Sequence, residues 1–246
     1  MATKSKAVLL LSSGLDSAAN LAIASEKFEV KVALTIHYGQ KGAQRELRQA
    51  AALASYFQVE HVIFDLSHFA LFAGGNSALI NQQHAIPSLQ QTKLDDASTT
   101  KKSASAVWVP NRNGVLLNLA AALAESRGLD AVAVGFNAEE AVTFPDNTPD
   151  FMSAMTQAFS FSTANHVKVV SATASMNKQQ IVENLAQQEF PFELIWSCYE
   201  AGQNHCGQCE SCQRLKRAVT RGVTLEKKRQ EILNALFGDQ WKVNPQ

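Results

Sequence analysis

The chain has 246 residues, of which 46% are hydrophobic and 18% are charged, so it carries enough apolar material for a full globular core. Lys and Arg together number 22, as do Asp and Glu, and this balance gives no support to nucleic acid or an anionic membrane as the main partner. The same composition excludes a charge-rich disordered chain.

The first predicted element is a strand at residues 6–11, a short apolar run that ends at Ser12. Lys4 and Lys6 give the run a superficial likeness to a signal peptide, but a signal peptide needs roughly 7–15 apolar residues. A buried parallel strand explains the run better. Because no apolar run approaches the roughly 18 residues of a membrane span, we expect a cytoplasmic protein.

Helices and strands then alternate along the chain. The predicted elements are a helix at residues 16–27, a strand at 30–36, a helix at 44–57 and a strand at 61–66. On the second helix, Arg45, Glu46 and Arg48 are expected to lie on the outer side. This alternation is typical of an α/β fold, in which helices cover both faces of a parallel sheet.

Residues 67–107 interrupt the alternation with a polar segment rich in Gln, Asn, Ser and Thr. A loop of this length inside a compact domain is usually functional, so we predict an insertion that closes over a site as a lid. The resumed pattern predicts helices at 114–126, 150–164, 178–188 and 224–237, and strands at 131–135 and 167–170. In the last helix, Leu225, Ile232, Leu233 and Leu236 fall on one side.

The segment from Ser12 to Ser17 joins the first strand to the first helix, at the edge of the sheet where open α/β folds bind ligands. Backbone N–H groups of such a turn form a concavity for anions. Asp16 suits an anion site only if a cation, Mg²⁺, bridges it to phosphates. The segment is neither a dinucleotide fingerprint nor a Walker loop. From these residues alone, a capped helix start is an equally good interpretation.

All four cysteines of the chain lie near its C-terminus, at Cys198, Cys206, Cys209 and Cys212. In a reducing cytosol, this clustering indicates a metal site rather than disulfides. Four thiolates at these spacings favour a structural tetrahedral Zn²⁺ ion without an open position for water, and an iron–sulfur cluster is the alternative. His205 stands beside Cys206 and offers a substitute ligand.

A basic stretch follows the cysteines, with Arg214, Lys216, Arg217, Arg221, Lys227, Lys228 and Arg229. Zinc together with basic residues can indicate nucleic-acid binding. The balanced net charge and the lack of interleaved aromatic residues favour a solvated helix face instead.

The loop Ser12-Ser13-Gly14-Leu15-Asp16-Ser17 resembles the Ser-Gly-Gly-x-Asp-Ser loop of the N-type ATP pyrophosphatases. The resemblance implies a three-layer, adenine nucleotide alpha hydrolase-like fold that binds ATP with Mg²⁺. The implied ATP-binding residues are Leu11, Ser12, Ser13, Gly14, Leu15, Asp16, Ser17 and Ala18. Ser13 replaces the usual first glycine, and a serine there is expected to require a φ angle that is not positive.

Ordered segments over nearly the whole chain resemble the 7-cyano-7-deazaguanine synthases, which are ligases of queuosine and archaeosine biosynthesis. The segments are His37-Tyr38-Gly39-Gln40-Lys41 with Glu46, Ser77-Ala78-Leu79, Val109-Pro110-Asn111-Arg112-Asn113, Phe144-Pro145-Asp146 with Phe151, Asn177-Lys178 with Ile181, Ser197-Cys198-Tyr199-Glu200, and Cys206-Gly207-x-Cys209-x-x-Cys212. The departures are Asn111 in place of glycine, Asn147-Thr148 in place of Cys-Arg, and Glu140-Ala141-Val142-Thr143 in place of an acidic-x-Ser-Gly run.

This resemblance implies the ATP-dependent conversion of 7-carboxy-7-deazaguanine and ammonia to 7-cyano-7-deazaguanine, through adenylation of the carboxylate. Asp16 would hold pyrophosphate and Mg²⁺. Arg112 and Lys178 would counter phosphate or carboxylate charge, and Asp146 would bind the guanine-like edge. The resemblance also implies a homodimer.

The resemblance further implies an ATP-binding domain at residues 1–195, with the insertion at 67–107, and a zinc-binding segment with a C-terminal helix at 196–246. Three alternatives stay open. One is a related ligase of antiviral operons that joins a deazaguanine to a protein amine, which the altered Asn147-Thr148 suggests. The others are a tRNA-modifying relative, which needs a catalytic cysteine pair and a basic surface, and a non-enzymatic zinc-binding module, which leaves residues 1–190 unexplained.

Overall fold

A computed structural model describes residues 4–24, 27–73 and 75–238. Residues 1–3 of the first predicted domain and residues 239–246 of the second lie outside the described residues. Gly74 of the insertion and residues 25–26 of the first predicted helix lie outside them as well. The strands are β1 (Lys6–Leu10), β2 (Glu29–His37), β3 (Glu60–Asp65), β4 (Ala131–Ala133) and β5 (Lys168–Val170). The α-helices are α1 (Leu15–Ile23), α2 (Ala43–Tyr56), α3 (Ala70–Ala73), α4 (Ala97–Val107), α5 (Arg112–Ser126), α6 (Ala138–Ala141), α7 (Pro149–Ser162), α8 (Lys178–Ala186), α9 (Glu210–Gly222) and α10 (Glu226–Phe237).

The five strands form one parallel sheet in the order β3-β2-β1-β4-β5. Strand order reverses at β1, and the chain segments that follow β1 and β4 therefore emerge side by side. Gly135, just after β4, allows this close approach, because an added Cβ would lie 2.6 Å from the backbone N of Ser17 in α1. The topology thus places the loop after β1 in a crevice at the carboxyl edge of the sheet.

Alternate strand residues face two separate cores. Leu9 and Ala33 pack on one side of the sheet with α1, α2, α8, α9 and α10. Val8 and Leu34 pack on the other side with α5 and α7. This arrangement confirms the predicted three-layer α/β fold. None of the described helices is both long enough and apolar enough to span a membrane.

The predicted strands and helices are present among the described residues, with ends that differ by a few residues. The α-helices α3, α4 and α6 were not predicted, and α9 was indicated only as the helix face of the basic stretch. Among them, α4 is rich in Ser and Thr, whose side chains compete for backbone hydrogen bonds and mask a helical pattern. Its N-cap, Asp96, accepts a hydrogen bond from the Thr99 N–H at 2.7 Å. Leu225 was wrongly placed on the apolar side of the last helix, because it precedes α10 as the N-cap and is 70% exposed.

The insertion at residues 67–107 packs against two parts of the molecule. Leu79 and Val107 join a small apolar cluster with Tyr38, which follows β2. On the other side, Leu89 N–H donates to the carbonyl of Gln208 at 2.8 Å, between two of the cysteines. The insertion therefore connects the carboxyl edge of the sheet to the cysteine segment, and its closure as a lid stays a prediction.

Candidate active site

A cavity of about 270 Å³ lies at the carboxyl ends of β1, β2 and β4. The loop after β1, the starts of α2, α5 and α8, the end of the insertion and residues 196–199 all contribute to its lining. The four residues predicted to carry the chemistry line this one cavity, and they are Asp16, Arg112, Asp146 and Lys178. The fold therefore gathers them from four distant parts of the chain.

The loop after β1 places several N–H donors close together. The N–H of Ser12 donates to Ser17 Oγ at 3.2 Å, and that of Gly14 donates to Ser12 Oγ at 3.4 Å. The N–H of Leu15 donates to Ser197 Oγ at 3.1 Å. Backbone donors at the start of a helix are the groups that bind a phosphate. Of the predicted ATP-binding residues, Ser13 and Ala18 are fully buried and do not line the cavity, whereas the other six do.

Ser13 adopts a φ angle of 60°, so the expectation of a non-positive φ at this position was wrong. Asn111, the other site where a glycine was expected from the resemblance, has a φ of 52°. Both residues keep the left-handed conformation that a glycine would adopt easily, and asparagine tolerates it better than most residues do. The carbonyl of Ser13 accepts a hydrogen bond from the Trp196 N–H at 2.9 Å, which helps to hold the turn.

Lys178 lies between two carboxylates in the cavity. Its Nζ is 2.6 Å from Asp16 Oδ2 and 2.7 Å from Glu140 Oε1. Burial alone would lower the pKa of Lys178, but the two carboxylates raise it above its ordinary value, so the amine stays charged. Burial raises the pKa of Asp16 to about 6, against the lowering effect of Lys178. Asp16 Oδ1 is buried and has no hydrogen-bond partner among the described residues, which suits a cation ligand.

Arg112 and Asp146 stand near each other in the cavity. The Arg112 guanidinium lies over the Tyr38 ring, 5.7 Å from its centroid, and its Nε donates to Asn113 Oδ1 at 3.1 Å. Burial raises the pKa of the Asp146 carboxyl above its ordinary value, although the charge of Arg112 opposes this. The side-chain amide of Asn147 donates to Asp146 Oδ1 at 3.1 Å, so Asn147 orients the carboxylate.

Glu46 belongs to a segment that carries the family resemblance, but it was not predicted as a site residue. It was predicted, with Arg45, on the outer side of its helix, and this was wrong for both residues, whereas Arg48 is exposed. Glu46 lines the cavity, and the Arg45 guanidinium lies 5.1 Å from the centroid of the Trp196 ring. The first turn of α2 follows the carboxyl end of β2, so its side chains face the crevice. An acidic residue one turn into a helix that follows a parallel strand is the signal that could have identified Glu46.

The four cysteines converge as predicted. Their sulfur atoms all lie within 4.8 Å of one another, and Cys206 Sγ is 3.8 Å from Cys212 Sγ. A tetrahedral Zn²⁺ with bonds of about 2.3 Å holds its sulfurs about 3.8 Å apart, so this cluster fits that ion. The backbone N–H groups of Cys206 and Cys209 donate to Cys198 Sγ and Cys206 Sγ at 3.3 Å. Hydrogen bonds from neighbouring thiols lower the pKa of Cys206 below its ordinary value.

His205 does not join the cluster as a substitute ligand. Its Nε2 accepts the Ser197 N–H at 3.1 Å, and its Nδ1 lies 2.7 Å from the Leu236 carbonyl, to which it donates. Burial lowers the pKa of His205 to about 4, so the ring is neutral. His205 therefore fastens the cysteine segment to α10.

The model of the Queuosine biosynthesis protein QueC family matches residues 6–222, which span the loop after β1, the cavity and the cysteine cluster. The chain belongs to the QueC family. The resemblance drawn from the ordered motifs is thereby confirmed. QueC membership accounts for both the α/β portion and the cysteine segment, so a non-enzymatic zinc-binding module no longer explains the chain.

Curated relatives match most of the length of this QueC-family chain. A 7-cyano-7-deazaguanine synthase from Methanosarcina mazei is 48% identical over 87% of this chain and 93% of its own length. Proteins with the same name are 47% identical in Desulforamulus reducens, over 86% of this chain and 92% of their length, and 44% identical in Bdellovibrio bacteriovorus, over 89% and 94%.

In this QueC-family chain, part of the basic stretch is not a solvated helix face. Arg214 pairs with Glu139 at 2.5 Å and Glu210 at 2.8 Å, and its side chain is only 12% exposed. Arg217 pairs with the same Glu139 at 2.9 Å and with Asp95 at 2.7 Å. The prediction of solvation was therefore wrong for these two arginines. They connect α9 of the cysteine segment to α6 beside the cavity and to the insertion.

Proposed function

We propose that this chain is a 7-cyano-7-deazaguanine synthase, which uses ATP to convert 7-carboxy-7-deazaguanine and ammonia to 7-cyano-7-deazaguanine. The observation that carries the proposal is a single cavity with two kinds of lining. The loop after β1 is of the type that binds phosphate, and the charged and aromatic groups beside it suit a purine carboxylate. The name shared by the curated relatives supports the same reaction.

ATP would lie with its phosphates against the loop after β1. The N–H groups of Gly14 and Leu15 would donate to phosphate oxygens in place of the serine hydroxyls that accept them in this structure. The unpartnered Asp16 Oδ1 would hold Mg²⁺. The bound ion would neutralise charge on the phosphates, and Lys178 would hold Asp16 in place through its 2.6 Å contact.

The deazapurine carboxylate would occupy the part of the cavity between α5 and the segment before α7. Trp108 and Phe144 line this part with nearly parallel rings, whose centroids lie 6.3 Å apart. Their flat faces suit a planar base. Arg112 would attract the substrate carboxylate, and Asp146 would accept hydrogen bonds from the guanine-like N–H groups.

The chemistry requires activation because a carboxylate is a poor electrophile. Transfer of AMP to a carboxylate oxygen releases pyrophosphate and creates a good leaving group, so that ammonia can form an amide. A second activation of the amide oxygen allows elimination to the nitrile. The protein's part is to position the reactants and to stabilise the charge that develops on phosphate and acyl oxygens.

The cysteine cluster would hold Zn²⁺ in a structural role, since its four thiolates fill a tetrahedral site. All four cysteines of the chain are in this cluster, so none is left for the cysteine pair that a tRNA-thiolating enzyme needs. A structural ion here would order Trp196 and Ser197. The backbone N–H of Trp196 and the side-chain hydroxyl of Ser197 both contact the loop after β1. The expected homodimer stays a prediction, which analytical ultracentrifugation would decide.

Chromatography of products tests the proposal. The protein is incubated with 7-carboxy-7-deazaguanine, ATP, Mg²⁺ and ammonium, and the nitrile is quantified against an authentic standard. Asp16→Asn serves as the impaired variant. Asp130→Asn serves as the matched control, because this carboxylate accepts the Lys6 N–H at the start of β1 and does not line the cavity. Nitrile formation by the wild type and the control but not by Asp16→Asn supports the proposal. Absence of nitrile with the wild type contradicts it.

A further inference from the structure

Glu46, like Asp146, lies outside the ion pairs that Lys178 forms in the cavity. Asp16 and Glu140 both pair with Lys178, whereas Glu46 forms no ion pair among the residues that the structure describes. Its Oε2 accepts a hydrogen bond from the side-chain amide of Gln40 at 2.9 Å. The Gln40 Oε1 in turn accepts the Tyr38 N–H at 2.9 Å, which fixes the direction of the amide. Glu46 is therefore an oriented carboxylate that forms no ion pair with any of the described residues.

The second oxygen of Glu46 and an unsatisfied donor both lie close to Gly42. From the point where a Cβ of Gly42 would lie, Glu46 Oε1 is 3.3 Å away and Trp196 Nε1 is 3.5 Å away. Trp196 is 3% exposed, and its indole N–H has no partner among the described residues. A buried donor of this kind is normally satisfied, so a ligand oxygen is expected there. All three residues line the cavity.

We propose that Glu46 and Trp196, whose polar atoms both lie beside Gly42, form the ammonia subsite of the reaction. Glu46 binds the ammonium ion and takes one of its protons, and the indole N–H of Trp196 holds the carbonyl oxygen of the activated carboxylate. The inference rests on the proposed function, because it assigns the residues that handle its second substrate. The absence of a side chain at Gly42 leaves the space that so small a substrate needs.

The charges around Glu46 agree with this role. Arg112 is the basic residue whose charge acts on Glu46, and Tyr38 is a titratable group on which the charge of Glu46 acts. Burial raises the pKa of Glu46 to about 7, although the Gln40 hydrogen bond and Arg112 oppose the shift. A group with a pKa near the working pH exchanges protons efficiently in both directions.

Formation of the amide conserves every proton and electron pair. Ammonium gives one proton to the Glu46 carboxylate, and the lone pair of the resulting ammonia forms the C–N bond to the acyl carbon. The C–O bond to AMP breaks, and AMP leaves with that electron pair. The new amide nitrogen loses its extra proton to water, and Glu46 returns its proton to solvent before the next turnover. No oxidant or reductant takes part.

Two half-reactions separate this inference from the proposed function. Exchange of labelled pyrophosphate into ATP, dependent on 7-carboxy-7-deazaguanine, reports adenylation without ammonia. Nitrile formation with ammonium reports the complete reaction. Hydroxylamine, which is mostly unprotonated at neutral pH, serves as a nucleophile that needs no initial deprotonation. The variants are Glu46→Gln, Gly42→Ala and Trp196→Phe, with Glu60→Gln at the opposite edge of the sheet as the matched control.

Glu46→Gln is expected to keep pyrophosphate exchange within about twofold and to lose about 100-fold in the ammonium-dependent rate, since general bases contribute about 10²–10⁴. Hydroxylamine should restore most of that loss. Gly42→Ala should raise the KM for ammonium without changing the KM for ATP, and Trp196→Phe should lower kcat. The inference is overturned if Glu46→Gln loses pyrophosphate exchange and nitrile formation to the same degree. It is also overturned if the ammonium-dependent rate of this variant is unchanged. Failure of the wild type to make nitrile overturns the proposed function instead.

Discussion

Replacement of Lys178 by Met tests the charge arrangement that organises the cavity. The side chain is only 8% exposed, and its Nζ lies within 2.7 Å of two carboxylate oxygens, one from Asp16 and one from Glu140. Methionine keeps the apolar stem and leaves both carboxylates without their shared cation. Removal of one partner from a buried pair costs about 3–5 kcal/mol. The lower part of this range is expected, because a carboxylate can take up a proton. For a chain of this size, the melting temperature should fall by about 10 °C.

The loss of stability in Lys178→Met should depend on pH. In the wild type, burial already raises the pKa of Asp16 to about 6, and without Lys178 it should rise further. A carboxyl whose pKa is higher in the folded state stabilises the fold when protonated, and that stability is lost as the pH rises through the folded pKa. The difference from the wild type should therefore shrink as the pH falls from about 8 to about 5.

Thermal unfolding followed by circular dichroism at both pH values measures this effect. Lys101→Met, on an exposed position of α4, is the matched control and should melt with the wild type. The double variant Lys178→Met/Asp16→Asn should recover part of the lost stability, because one of the facing charges is gone. A Lys178→Met protein that unfolds within about 1 kcal/mol of the wild type at neutral pH, or that loses more stability at low pH, would refute the reasoning.

Three further predictions concern the loop after β1 and its supports. Ser13→Gly should raise the free energy of unfolding by about 1 kcal/mol, because glycine relieves a φ of 60°, and a lower stability in urea denaturation would contradict this. Ser197→Ala removes the acceptor of the Leu15 N–H, and steady-state kinetics should show a change in the KM for ATP of about fivefold or more at nearly constant kcat. Chelation of the metal should release the Trp196 N–H from the loop and weaken ATP binding in calorimetry, and added Zn²⁺ should restore it. An ATP affinity that does not change when the chelator is added would show that the cysteine cluster does not support the loop after β1.

Local patterns predicted the fold well and the site in part. The layers of the fold could be predicted from the apolar runs of β1 and β2, and the metal cluster from the spacing of the cysteines. Both patterns involve residues that are close together in the sequence. The contact of Lys178 with Asp16 spans 162 positions and depends on the strand order, which no local pattern encodes. Glu46 was assigned to the outer side because helical periodicity does not reveal that α2 begins at the cavity.

Ion pairs between distant segments were the least predictable feature. Arg214 and Arg217 belong to a stretch of seven basic residues that resembles a solvent-exposed face. Their partner Glu139 lies far earlier in the chain, in a short helix that was itself not predicted. The positive φ of Ser13 was also not foreseen, since its support comes from the Trp196 N–H, 183 positions away.

Mass spectrometry of the products formed with isotopically labelled ammonium tests the central claim most directly. The wild-type protein is supplied with 7-carboxy-7-deazaguanine, ATP and Mg²⁺, with and without the labelled ammonium, and both the small molecules and the intact protein are weighed. We expect 7-cyano-7-deazaguanine that carries one labelled nitrogen, formed only when ammonium is present, together with AMP and an unmodified protein. A deazaguanine attached to a protein amine, or a product without the label, would contradict it.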